Sequence, residues 1–164
     1  MRILGIDPGI STTGYGVIEI ESNRLKCLAS GGIRSSSKLK FSQKLKSIHQ
    51  AVNKIIQEFQ PDFCSVEDIF YHQNKKTAII MGHARGVAML AAAINNIPVF
   101  EYTPREVKMS IVGSGAASKI QVQAMVKNIL KMPELPTPED AADALAVALC
   151  HHHRLKFQQI RERV

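Results

Sequence analysis

Cysteine is scarce in this chain of 164 residues: Cys27, Cys64 and Cys150 are odd in number, far apart and never in CxxC spacing. That pattern excludes a disulfide framework and a thiolate zinc site, and fits free thiols in a reducing compartment. The expected location is therefore the cytoplasm. No apolar run reads as approaching the roughly 20 residues needed to cross a bilayer, so no membrane association is expected. The opening MRILGID meets an acid too early for a secretory signal. Internal repeats and low-complexity tracts are missing as well. Acids are also short: 14 Asp and Glu stand against 21 Lys and Arg, a net charge of +7. Such a chain is drawn to polyanions, nucleic acid above all.

What is present is enough for one domain with a real core. The expectation is a single domain over 1–155 and a basic tail over 156–164. Residues 2–7, 14–20 and 25–33 are β-rich and divided by turn signals, which predicts a three-stranded meander. Phe41, Leu45, Ile48, Val52, Ile55 and Phe59 then recur in steps of four and three, the apolar stripe of one amphipathic helix ended by Pro61. FCSVE predicts a short strand ending in Glu67. A second helix is expected over 75–94, where GHARGVAMLAAA is so rich in small residues that another backbone can approach closely. VFEY follows as a strand. TPRE at 103–106 has Thr at the cap, Pro at the first helical position and Glu three after the cap. TPED at 137–140 is expected to start a helix in the same way. Between them, GSGAASK leads into the helix IQVQAMVKNIL. The order β-β-β-α-β-α-β-α-α-α is an α/β fold with a mixed five-stranded sheet, because an opening meander cannot be purely parallel.

Four acids stand out in that frame. Asp7 ends the first strand in GIDPG, and Glu67 ends the fourth in CSVED. Asp140 and Asp143 are three apart in EDAADALAVA and so share one helical face. The alanines around them allow that helix to lie flat on the sheet and bring both acids to the strand ends. Four clustered carboxylates repel one another unless a cation joins them. A set of hard oxygen donors suits Mg²⁺ or Mn²⁺, and two such ions can cut a phosphodiester. The basic surface would hold the polyanion that the acidic site cuts. Read one by one, the same acids are a turn residue, a strand-end acid, a cap partner and a surface acid.

GIDPG with Tyr15-Gly16, VEDIF, GHARGVAMLAAA, YTPREVKMSIVGSGAASKIQVQAMV and EDAADALAVALCHH resemble, in that order, the RuvC family of bacterial Holliday junction resolvases, within the ribonuclease H-like superfamily. The resemblance covers essentially the whole chain. It implies a ribonuclease H-like fold with helices on both faces. It also implies that Asp7, Glu67, Asp140 and Asp143 coordinate two Mg²⁺ ions per subunit, with Mn²⁺ as a substitute. The implied enzyme is a homodimer that nicks four-way junction DNA symmetrically, leaving 5′-phosphate and 3′-hydroxyl ends. Its implied partners are the RuvA and RuvB branch-migration proteins. Lys108 and Lys119 match lysines near the scissile phosphate, and Phe70 matches an aromatic that handles bases at the junction centre.

Arg85 reads equally as a DNA contact or as part of a helix interface. Lys75 and Lys76, in the polar stretch FYHQNKKTA, read as DNA contacts. Strand alternation sends Asp68 to the face opposite Glu67. His151-His152-His153 reads as helix-end surface. A ribonuclease acting on RNA–DNA hybrids, a non-catalytic DNA-binding module and a sugar-kinase-like ATPase remain as other readings of the acids.

Overall fold

The computed structural model describes residues 1–22, 24–68 and 74–162. In chain order the elements are β1 (Arg2–Asp7), β2 (Thr12–Glu21), β3 (Arg24–Arg34), α1 (Phe41–Phe59), β4 (Phe63–Glu67), α2 (Lys75–Ile94), β5 (Val99–Tyr102), α3 (Pro104–Val112), α4 (Lys119–Ile129) and α5 (Glu139–Arg161). The order matches the expectation. The strands form one sheet, β3-β2-β1-β4-β5; the meander pairs antiparallel, and β1–β4 and β4–β5 pair parallel.

Strand alternation divides the core in two. Leu4, Ile6, Val17, Cys64 and Val66 face α1 and α2, meeting Ile48, Val52 and a row of alanines. Ile3 and Ile18 face the other way and pack with Leu145 and Leu149 of α5 and with residues of α3 and α4. Burying each such aliphatic side chain contributes about 1.5–3 kcal/mol, so both faces are firmly clamped. The α1 stripe holds in its later turns only: Ile48, Val52, Ile55 and Ile56 are buried, while Phe41 is 42% exposed. The first turn of α1 overshoots the sheet, and Phe41 meets the His83 ring edge-on instead, 5.3 Å between centroids.

The helix starts are partly as read. Thr103 caps α3, its Oγ1 accepting from the Glu106 N–H (3.2 Å) while the Glu106 carboxylate accepts from the Thr103 N–H (2.9 Å). The second expected cap fails. Helix α5 begins at Glu139, its cap is Pro138, and Thr137 lies outside with no side-chain cap bond. Proline offers no side-chain acceptor, and its ring is placed against β3, where a Cβ at Gly32 would crowd it.

Two further corrections concern α2 and α5. An 18-residue window of α2 has mean hydropathy 1.5, so by length and composition this helix could cross a membrane. The sequence reading missed it because alanine raises hydropathy without a bulky side chain. Ala84, Ala88, Ala91 and Ala92 bury one side of α2, packing with α1 residues in the same core cluster. The histidine run is not helix-end surface. Helix α5 continues to Arg161, and His151 and His152 are 1% and 9% exposed. His151 shares a 2.7 Å hydrogen bond with the Tyr102 hydroxyl and stacks on Phe100 at 4.2 Å; burial pushes its pKa down to about 4. His153 bonds the Ser110 hydroxyl at 3.0 Å. The segment expected as a tail is helical as far as Arg161.

Candidate active site

Asp7 and Glu67 are brought together by the parallel register. Ile3 pairs with Phe63 and Ile6 with Val66, so the next residues on each strand end side by side. Odd-numbered positions of β1 and β4 point to the α5 side, and both acids follow that parity. The turn after Asp7 is tied by Thr13, a fully buried residue whose Oγ1 donates to the Gly9 carbonyl at 2.6 Å. That bond folds the Pro8-Gly9 corner back into β2 and leaves Asp7 at the strand tip.

Glycines bring the two helical acids close. A Cβ on Gly5 would collide with the Ala144 carbonyl and lie 2.9 Å from the Ala148 amide nitrogen; a Cβ on Gly16 would lie 2.6 Å from Leu145 Cδ2. A Cβ on Gly14 would collide with the Asp140 carbonyl itself. The three glycines form a smooth track on β1 and β2, and the alanines of α5 lie in it. Asp140 in the first turn of α5 and Asp143 one turn on are thereby lowered to the level of the strand tips. Asp140 also benefits from the positive end of the helix dipole.

The lysines arrive from α3 and α4. Ser118 caps α4 by accepting from the Gln121 N–H at 3.3 Å, and Gln121 Oε1 accepts from the Ser118 N–H at 2.8 Å. This capping box makes Lys119 the first residue of α4. Its Nζ donates to Asp143 Oδ2 at 3.1 Å.

A cavity of about 410 Å³ is lined by Asp7, Glu67, Asp140, Asp143, Lys108 and Lys119 among others. The structure thus gathers all four acids and two of the lysines. Lys75 and Lys76 are exposed at the start of α2, outside this cavity. Arg85 is half-buried and ion-paired to Glu101 and Asp68. Phe70 lies outside the described residues.

The electrostatics are those of crowded carboxylates. Burial, then the charges of Glu67 and Asp143, push Asp7 up to about 8. Burial raises Glu67 too, against a hydrogen bond from Asp7 and the pull of Lys119 and Lys108. Lys119 is held above its ordinary value chiefly by its bond to Asp143. Burial and mutual repulsion thus hold Asp7 toward its protonated form, and Lys119 partly neutralises Asp143. Among the described residues, no group of three or more His, Cys, Asp or Glu is arranged to hold a metal ion. The donor chemistry nonetheless suits one. Four oxygen-donor side chains converge, their mutual repulsion raises Asp7, and Lys119 occupies an Asp143 lone pair that a hard cation would take.

The sequence reading missed the glycine track and the support of Thr13. Gly5, Gly14 and Gly16 alternate on adjoining strands, and that spacing was a visible signal for a helix pressed onto the sheet. The Ser118–Gln121 box was also legible, as S-x-x-Q before an apolar helix.

Comparison with known proteins agrees over the whole chain. The family model described as crossover junction endodeoxyribonuclease RuvC matches residues 3–151. A RuvC of Finegoldia magna is 49% identical over 162 residues, covering 99% of each chain, and one of Natranaerobius thermophilus is 52% identical over 158 residues, covering 96% and 98%. The solved structure of Thermus thermophilus RuvC in complex with Holliday junction substrate superposes with a TM-score of 0.91 at 33% identity, covering 96% of each chain. The sheet order, the convergent acids and these matches together place the chain in the RuvC family of crossover junction endodeoxyribonucleases.

Proposed function

We propose that Asp7, Glu67, Asp140 and Asp143 are the metal-binding and catalytic carboxylates of a Holliday junction resolvase. As a member of its family the chain is a structure-selective endonuclease of homologous recombination and DNA repair, cutting four-way junctions by paired symmetric nicks. The observation that carries the residue assignment is the meeting of four acids from β1, β4 and α5 in one cavity at the tips of parallel strands.

Two Mg²⁺ ions, or Mn²⁺ in their place, would be held by these four side chains and would supply charge neutralisation and an activated water for in-line hydrolysis. The protein's own groups do the rest. Deprotonation of Asp7, whose acidity burial and its neighbours suppress, readies it as a ligand beside Glu67. Lys119, released from Asp143, is free to meet a phosphate oxygen as a mobile point charge, and Lys108 lines the same cavity. The proposed hydrolysis leaves 5′-phosphate and 3′-hydroxyl ends, as the family resemblance implies. Phe70, Lys75 and Lys76 complete the proposed DNA surface. The catalytic domain is taken as 1–155, with 156–164 as a basic extension.

Two symmetric nicks require two sites. Ile79, Gly82, Gly86 and Leu90 form an exposed stripe along α2, and a Cβ on either glycine would meet nothing within 4 Å. An apolar stripe this long and this open favours a second copy of the chain as its cover, and so a homodimer. RuvA and RuvB are the proposed further partners, in the cytoplasm.

The test is cleavage of matched four-way, three-way and linear duplex DNA with and without Mg²⁺. Paired nicks on the four-way substrate, dependent on the cation, are expected. Equal cutting of linear duplex would contradict the assignment.

A further inference from the structure

Behind the carboxylate site, on the opposite face of the sheet, lies a second charged group. Val66 of β4 is the register partner of Glu101 of β5, and Val66 packs among the α2 alanines. Asp68, two residues further on, falls on that same face. Its N–H still pairs with the Tyr102 carbonyl at 2.8 Å, so the backbone there remains in the sheet. Arg85 of α2 reaches both acids: its Nη2 lies 3.3 Å from Asp68 Oδ1 and makes an ion pair with Glu101. The Arg85 side chain is only 19% exposed, and its buried Nε has no hydrogen-bond partner among the described residues. A guanidinium held this deep and committed to two carboxylates is poorly placed to reach a phosphate backbone. It does, however, fix the residue that follows Glu67.

We propose that Arg85 is a positioning residue for the nuclease site, acting through Asp68 to hold the end of β4 so that Glu67 faces Asp7. This rests on the reading of Glu67 as a metal ligand. Two effects reinforce each other. The ion pair clamps the backbone directly after Glu67 to α2. The positive charge also offsets Asp68 and Glu101, two acids that would otherwise add to the repulsion already crowding Asp7 and Glu67. Outer partners of this kind orient ligands and typically change metal affinity by about 10–100-fold when lost. The network also joins the site to the helix proposed as the dimer contact.

The experiment measures Mn²⁺ binding to the DNA-free protein, by the electron paramagnetic resonance signal of the free ion. It is combined with thermal melts in EDTA and with four-way junction binding in EDTA. Arg85→Met is expected to weaken Mn²⁺ binding about tenfold or more, with junction binding in EDTA unchanged. Arg85→Lys should recover part of the loss, since it keeps the charge but not the fork. Asp68→Asn keeps the Arg85–Glu101 pair, and so serves even if Arg85→Met does not fold; it should weaken Mn²⁺ binding several-fold. Parental Mn²⁺ binding by Asp68→Asn and Arg85→Lys, with Glu67→Gln weakened, would overturn the inference alone. Weaker junction binding in EDTA at parental Mn²⁺ affinity would instead make Arg85 a DNA contact, and overturn it too. Unchanged Mn²⁺ binding by Glu67→Gln would overturn the carboxylate reading itself.

Discussion

Gly14 lies directly beneath Asp140: a Cβ on this β2 residue would occupy the space of the Asp140 carbonyl. One acid of the cavity is thus set in height by the lack of a side chain on a strand that lends the cavity no acid of its own. Gly14→Ala must push the start of α5 off the sheet. Overpacking of this kind costs roughly 1–3 kcal/mol, which a domain with two clamped faces can survive. The expected result is a folded protein with a lower melting temperature and a disproportionate loss of cleavage, checked by calorimetry beside single-turnover kinetics. Full activity at a lowered melting temperature would contradict the role of the glycine track.

Lys119 is 66% exposed, so its pair with Asp143 contributes little to stability, on the order of 0–1 kcal/mol. Its proposed role lies at the phosphate. Lys119→Ala should leave the melting temperature nearly unchanged and slow cleavage by about 10²-fold, the usual effect of losing one donor at a developing charge. Because Asp143 is then free of its partner, Mn²⁺ affinity should hold or rise.

The raised pKa of Asp7 gives a pH dependence of definite sign. Its folded value of about 8 exceeds the model-compound value of 3.8, so the folded state keeps a proton that the unfolded state loses. The associated stabilisation is complete below about pH 4 and is lost as pH rises through about 8. In EDTA, the melting temperature of the parent protein should therefore fall relative to that of Asp7→Asn between pH 5 and 8. Added Mg²⁺ should reverse the trend for the parent only. Parallel curves in EDTA would show that Asp7 is not crowded.

The exposed stripe of α2 predicts its own disruption. Leu90 is 52% exposed and Ile79 61%. Leu90→Glu places a charge on the stripe without touching the buried alanines. A dimeric parent and a monomeric, folded variant are expected in light scattering after size exclusion. A monomeric parent would remove the two-site explanation of symmetric nicking.

Much of this was legible in the sequence because local chemistry and tertiary structure agreed. The GIDPG turn, the Thr103–Glu106 box and the α1 periodicity each describe short-range physics, and each appears nearly where it was read. The four acids were found because they interrupt apolar runs. What was missed depends on partners distant in sequence. His151 reads as polar, yet Phe63, Phe100 and Tyr102 from the far edge of the sheet enclose it. The buried length of α5 follows from the glycine track, which no window along α5 contains. Thr137 fulfilled the pattern of a cap, but the contact of Pro138 with β3 decides where the helix begins. Arg85 left two readings open in sequence, because its two acids come from β4 and β5.

On the proposed assignment, the four converging carboxylates carry the metal-dependent cut and not the grip on DNA. The most direct test compares parent and Asp7→Asn protein on one four-way junction, measuring binding by gel shift in EDTA and nicking in Mg²⁺. The account predicts equal binding, with nicking lost in the variant. Retained nicking by Asp7→Asn would contradict it.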